Sequence, residues 1–156
     1  MYKYLFIIFV IFSSCKKEER IVSQEITSWK FEYNGNWHKA EVPGNNFTDL
    51  LNHHFIADPF YGTNEDSIQW VSEKDWYYKS RFSVTKNTLR NKKQYLVFNG
   101  LDTYAKVYLN DSLILVADNM FRKWEVDVKR ILKKENELRI LFEPVSKIEK
   151  EQQTAL

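Results

Sequence analysis

Along residues 28–33 the chain sets Trp29, Phe31 and Tyr33 against Ser28, Lys30 and Glu32, an apolar–polar alternation with a period of two. Successive side chains of an extended strand point to opposite faces, so this pattern buries one face and wets the other. Seven more stretches rich in β-branched and aromatic residues follow, at residues 37–42, 76–84, 94–99, 104–109, 113–117, 123–128 and 137–142. Asn34-Gly35-Asn36 joins the first two as a hairpin turn. Asn110-Asp111 does the same further on, because both residue types tolerate positive φ. Many short strands with turn signals about every ten residues, and no strand–helix alternation, point to an all-β sandwich or barrel. One short helix is expected: Pro43-Gly44 ends the second strand, and Asn45 or Asn46 can cap a helix running through Thr48, Leu50, Leu51 and Phe55.

Residues 58–75 interrupt this pattern with neither helical nor clean strand periodicity. Compact domains seldom keep more than about 12–15 structureless residues in one connection unless a lid, a binding loop or disorder requires it. Three Tyr, two Trp and one Phe within residues 58–78 are the composition of an ordered surface. Flat rings beside Asn, Gln and carboxylates suit a sugar, whose C–H face stacks while its hydroxyls take hydrogen bonds. The same rings also suit a loop folded back to cap one end of a sandwich.

The chain has 156 residues, room for one domain, and its 44% hydrophobic and 16% aromatic content can fill a core. The 23 Lys and Arg against 21 Asp and Glu give a net charge of +2, too small to imply nucleic acid as a partner. The basic cluster Lys129, Arg130, Lys133 and Lys134 is diluted by Glu135 and Glu137 and reads as a solvated turn.

The N-terminus reads as a targeting segment. Lys3 supplies a positive start, residues 5–12 are an unbroken apolar run, and Ser13-Ser14-Cys15 follows, which together describe a signal peptide too short to remain as a membrane-spanning helix. The Phe-Ser-Ser-Cys ending resembles a bacterial lipoprotein signal, although Phe12 stands where leucine is usual. That resemblance implies cleavage before Cys15, lipidation of its thiol, and a membrane partner through the anchor. The protein would then be exported and lipid-anchored at the outer membrane, on its periplasmic or its cell-surface side. Lys17-Glu18-Glu19 is similar to the short basic-then-acidic surface-sorting signal of such lipoproteins. The expected organisation is therefore a signal peptide over 1–15, a tether over 16–26, a β-sandwich over 27–143 and a polar tail over 144–156 that closes no element. Cys15 is the single cysteine, so no disulfide is expected in the domain.

Self-contained catalysis finds little support. Retaining glycoside hydrolysis needs two carboxyl groups about 5–5.5 Å apart. Asp58, Glu65 and Asp66 are the acids available in the loop, and turn formation explains them equally well. His53 and His54, adjacent on the expected helix, point about 100° apart, poor spacing for one metal ion. No nucleophile elbow, phosphate loop or dinucleotide fingerprint is present. No catalytic residue, metal or cofactor is assigned.

Val42-Pro43-Gly44, Asp49-Leu50-Leu51, Ile56-Ala57-Asp58-Pro59-Phe60-Tyr61-Gly62-Thr63-Asn64-Glu65, Gln69-Trp70-Val71, Asp75-Trp76-Tyr77-Tyr78, Gly100-Leu101-Asp102-Thr103-Tyr104-Ala105, Val107-Tyr108-Leu109-Asn110 and Asp118-Asn119-Met120-Phe121 form an ordered series. The series resembles the N-terminal sugar-binding domain of the β-mannosidases of glycoside hydrolase family 2. The resemblance implies a galactose-binding-like jelly-roll sandwich, here missing its last strands. It also implies immunoglobulin-like domains and a catalytic barrel further along an intact enzyme. Such enzymes remove terminal β-linked mannose from oligosaccharides with retention of configuration and need no organic cofactor. Both catalytic glutamates would lie on the barrel, so the chain alone is expected to be inactive.

By the same resemblance Asn64 lines up with an asparagine that approaches the sugar, where a carboxamide can donate and accept at once. An Asx turn is the other reading of Asn64. Glu65 and Trp70 are weaker substrate-binding candidates at the rim. The alternative to an enzyme's first domain is a stand-alone carbohydrate-binding surface lipoprotein on the same fold.

Overall fold

The computed structural model describes residues 21–154. The expectations for residues 1–15, Cys15 among them, lie outside the described residues.

Among the described residues, eight antiparallel strands form two sheets. β1 (Lys30–Tyr33), β2 (Asn36–Lys39), β3 (Trp76–Ser83), β5 (Tyr104–Leu109), β6 (Ser112–Ala117) and β8 (Glu135–Glu143) make a six-stranded sheet in the order β2-β1-β3-β8-β5-β6. β4 (Tyr95–Phe98) and β7 (Trp124–Asp127) pair as a second sheet. The longest ladder joins β3 to β8 from Trp76↔Phe142 to Ser83↔Glu135. Its period of two sends Trp76, Tyr78, Leu138 and Ile140 into the core with Phe31, Ala105, Val107 and Leu109 from neighbouring strands. Leu96 and Phe98 of β4 and Trp124 and Val126 of β7 pack onto that same cluster, so the two sheets share one interior. Phe31, Val107 and Leu109 are fully buried, and burying such a side chain contributes about 1.5–3 kcal/mol.

The turns behave as their residues dictate. Asn34 and Gly35 both take positive φ, 50° and 76°, the mirror-image turn whose twist matches its flanking strands. Asn110 and Asp111, at 49° and 68°, repeat it between β5 and β6. Asn110 is also stapled to β8: its Nδ2 donates to Ile131 O and Asn136 Oδ1, and its Oδ1 accepts from Glu137 N.

The helices depart from the sequence reading, which expects one. α1 (Asn46–Asn52) is that helix, and Asn45 caps it by accepting Thr48 N at 2.9 Å while Thr48 Oγ1 accepts Asn45 N. Three further α-helices, α2 (Asn64–Ser67), α3 (Lys86–Arg90) and α4 (Val145–Thr154), and a 3₁₀ turn (Gln69–Glu73) are present as well. The long connection is therefore not structureless, since α2 and the 3₁₀ turn fold it up. Each spans four or five residues, too few for a 3.6-residue period to register. α4 replaces the featureless tail. Pro144 precedes it, and its carbonyl accepts Lys147 N, as the carbonyl of a residue at the start of a helix does. Packing also begins before residue 27: Ile26 lies against the core and its carbonyl accepts Trp29 Nε1, while Gln24 Nε2 donates to Ser83 O.

Candidate functional site

The long connection between α1 and β3 rests on a buried polar node. Asp49, in the first turn of α1, is 2% exposed and accepts Glu41 N through Oδ1 and the Tyr78 hydroxyl through Oδ2, each at 2.9 Å. Burial pushes the Asp49 carboxyl up from the ordinary aspartate value, against these two hydrogen bonds and nearby His53, which pull it down. Burial and the Asp49 charge together raise the Tyr78 phenol, so it stays protonated as the donor. One carboxylate thus ties α1, the chain leaving β2, and β3 together.

An aromatic stack stands beside this node. Tyr33 lies 4.7 Å from Phe55 and 6.1 Å from Trp70, with Trp76 at 6.4 Å, all at shallow interplanar angles. The Lys74 ammonium sits 5.4–5.7 Å from the centres of Tyr33, Trp70 and Trp76, close enough for cation–π attraction to all three rings. Trp76 Nε1 donates to Val71 O at 2.8 Å, which fixes the 3₁₀ turn to β3. Trp70 is half-buried in this stack.

Above the stack the loop is built from short-range hydrogen bonds. Asp58 Oδ1 accepts Phe60 N at 3.0 Å, an Asx turn, and Gly62 takes φ 61°. Asn64 opens α2, is half-buried, and donates from Nδ2 to Asp58 O at 2.9 Å. Its Oδ1 has no hydrogen-bond partner among the described residues and is free to accept. The Glu65 side chain is exposed, and its carbonyl accepts Gln69 Nε2. Asn64 and Glu65 therefore sit together at the start of α2, whereas Trp70 faces Tyr33 and Trp76. Phe60 and Tyr61 project beside them, 98% and 78% exposed. Among the described residues, no three His, Cys, Asp or Glu side chains are grouped to hold a metal ion.

Residues 26–156 match the family described as "Glycosyl hydrolase 2 galactose-binding domain-like". The chain belongs to this family. This galactose-binding-like domain is 42% identical over 105 residues to β-mannosidase B of Thermothelomyces thermophilus and 35% identical over 104 residues to β-mannosidase of Rattus norvegicus. Each match takes in 67% of this chain and 12% of the relative. The crystal structure of β-D-mannosidase from Dictyoglomus thermophilum superposes with a TM-score of 0.78 at 41% identity, over 81% of this chain and 16% of that one. The chain thus spans only a small part of the length of its relatives.

Within the galactose-binding-like domain, sequence reasoning missed two constellations. Asp49 carries no local signal beyond an acid near a helix start. The second lies where α4 leaves the sheet: Lys147 Nζ donates to Asp75 Oδ2 at 3.1 Å and to Glu143 Oε1 at 2.9 Å, and Lys106 Nζ meets Glu143 Oε2 at 2.7 Å. Burial would raise the Glu143 carboxyl, but hydrogen bonds from Lys106 and Lys147 outweigh it and hold it below the ordinary value. The i, i+4 spacing of Glu143 and Lys147 is the one signal that could have found the pair.

Proposed function

We propose that this domain is the N-terminal, substrate-side part of a retaining β-mannosidase that removes terminal β-linked mannose from oligosaccharides. Bond cleavage belongs to a barrel encoded beyond residue 156. The observation that carries this reading is the 41% identity to the D. thermophilum β-D-mannosidase across 81% of the chain. The small share of each relative that the match occupies supports the division of labour. On this reading the two sheets are a jelly-roll sandwich whose last strands come from later sequence.

Asn64 is the residue we assign to the sugar. Its Nδ2 is spent on Asp58, which fixes the carboxamide plane, and its Oδ1 is left to accept a sugar hydroxyl. Glu65, exposed beside it, extends the rim. Trp70 acts at one remove, through the aromatic stack that holds the loop.

The DNA following the Leu156 codon tests this proposal. A continuing reading frame that encodes a barrel with two glutamates supports it, and a stop codon followed by unrelated sequence refutes it. We further propose that residues 1–15 are a lipoprotein signal and that Cys15 carries the anchor at the outer membrane. Labelled palmitate should enter the wild-type protein and be absent from Cys15→Ser. Equal labelling of both would rule the anchor out.

A further inference from the structure

On the far side of the large sheet from the core, a groove of about 360 Å³ is lined by Ser28, Lys30, Trp37, Lys79, Ser80 and Arg81, within the size range of small-ligand sites, about 300–1,000 Å³. It exists because β1 parts from β3. Their ladder holds two pairs, Lys30↔Lys79 and Phe31↔Tyr78. Upstream the backbone pairing stops: Ser28 takes φ 62°, and the chain before it meets β3 through side chains, Ser80 Oγ donating to Thr27 O and Gln24 Nε2 to Ser83 O.

The lining carries three cations and no acid. Arg81 is held by Glu137 at 2.8 Å. Lys30 and Lys79 have no carboxylate partner among the described residues. The Lys79 ammonium lies 3.6 Å from the centre of the Trp37 ring. Burial lowers Lys79 first, with Arg81, Lys30 and Arg139 adding to it and Glu137 opposing. Positive charge is thus gathered against an aromatic ring without a full complement of counter-charge. Trp37 is 37% exposed, and the Ser28 hydroxyl makes no hydrogen bond among the described residues.

We propose that this groove binds an anionic sugar, a hexuronate, with its carboxylate between Lys30 and Lys79 and its ring against Trp37. A carboxylate supplies the missing counter-charge, and a sugar ring supplies a C–H face to stack on the aromatic ring and hydroxyls within the chemistry of the free Ser28 hydroxyl. A simple inorganic anion would use the charge and ignore the ring.

Calorimetric titration of the 156-residue chain with methyl β-glucuronide, methyl β-glucoside and sodium sulfate tests the assignment. Saturable binding of the glucuronide is expected, with the glucoside and sulfate each weaker by about tenfold or more. Lys79→Gln and Trp37→Leu should each weaken glucuronide binding by about tenfold, while Lys123→Gln, in a separate exposed pair, leaves it unchanged. No saturable glucuronide binding, equal affinity for sulfate, or full affinity in Lys79→Gln would each overturn the proposal. If a variant fails to fold, the Trp37 indole N–H resonance of the wild-type chain decides. It should shift on titration with glucuronide and not with glucoside, and an unmoved resonance refutes the site.

Discussion

Asp49 shows how much one buried carboxylate can organise when both of its oxygens are used. Tyr78→Phe keeps the ring in the core but removes the donor to Asp49 Oδ2. A buried acceptor left without its partner costs about 1–3 kcal/mol, so the urea midpoint of the variant should fall accordingly. An unchanged midpoint would mean that water replaces the hydroxyl and that the node is less enclosed than its burial indicates. The sequence places Asp49 only as an acid near a helix start, because its partners stand 8 and 29 residues away. The sequence offers Asn64 as a sugar contact or an Asx turn; its Oδ1 accepts from no backbone N–H among the described residues, so no Asx turn forms, and its Nδ2 instead reaches Asp58 O six residues back.

Among the elements, strands were legible and short helices were not, for a physical reason. Trp29, Phe31 and Tyr33, or Ala105, Val107 and Leu109, repeat every second residue and must share a face. α2 completes barely one turn, and α4 is mostly polar, with only Val145 and Ile148 to mark an apolar face. What docks α4 is instead the charge cluster of Lys147, Glu143 and Asp75. Its pH behaviour follows from Glu143, whose folded-state pKa lies below its unfolded value. The stability it contributes is present above the ordinary glutamate value of about 4.3 and is lost as pH falls through the lower folded value. Lys147→Met should therefore destabilise the chain at pH 7 and flatten the loss of stability on acidification below about pH 4.5. Urea titrations of both proteins at neutral and acid pH check this. Parallel acid slopes would show that Lys106 alone holds Glu143.

At the scale of the whole molecule, the domain supplies a rigid two-sheet support and presents one ordered loop. The all-β class was readable from period and turns. The pairing order β2-β1-β3-β8-β5-β6 was not, because it joins strands far apart in sequence. The same applies to the groove beside Trp37, which arises from a divergence of two strands that no local pattern records. In the proposed division of labour this domain serves a mannosidase without itself breaking bonds. Hydrolysis of an aryl β-mannoside by the 156-residue chain and, in parallel, by the product of the uninterrupted reading frame that contains it decides this. Saturable turnover with retained configuration is expected for the longer protein, and none above buffer for the chain. Turnover by the chain, or an inactive longer protein, would contradict it.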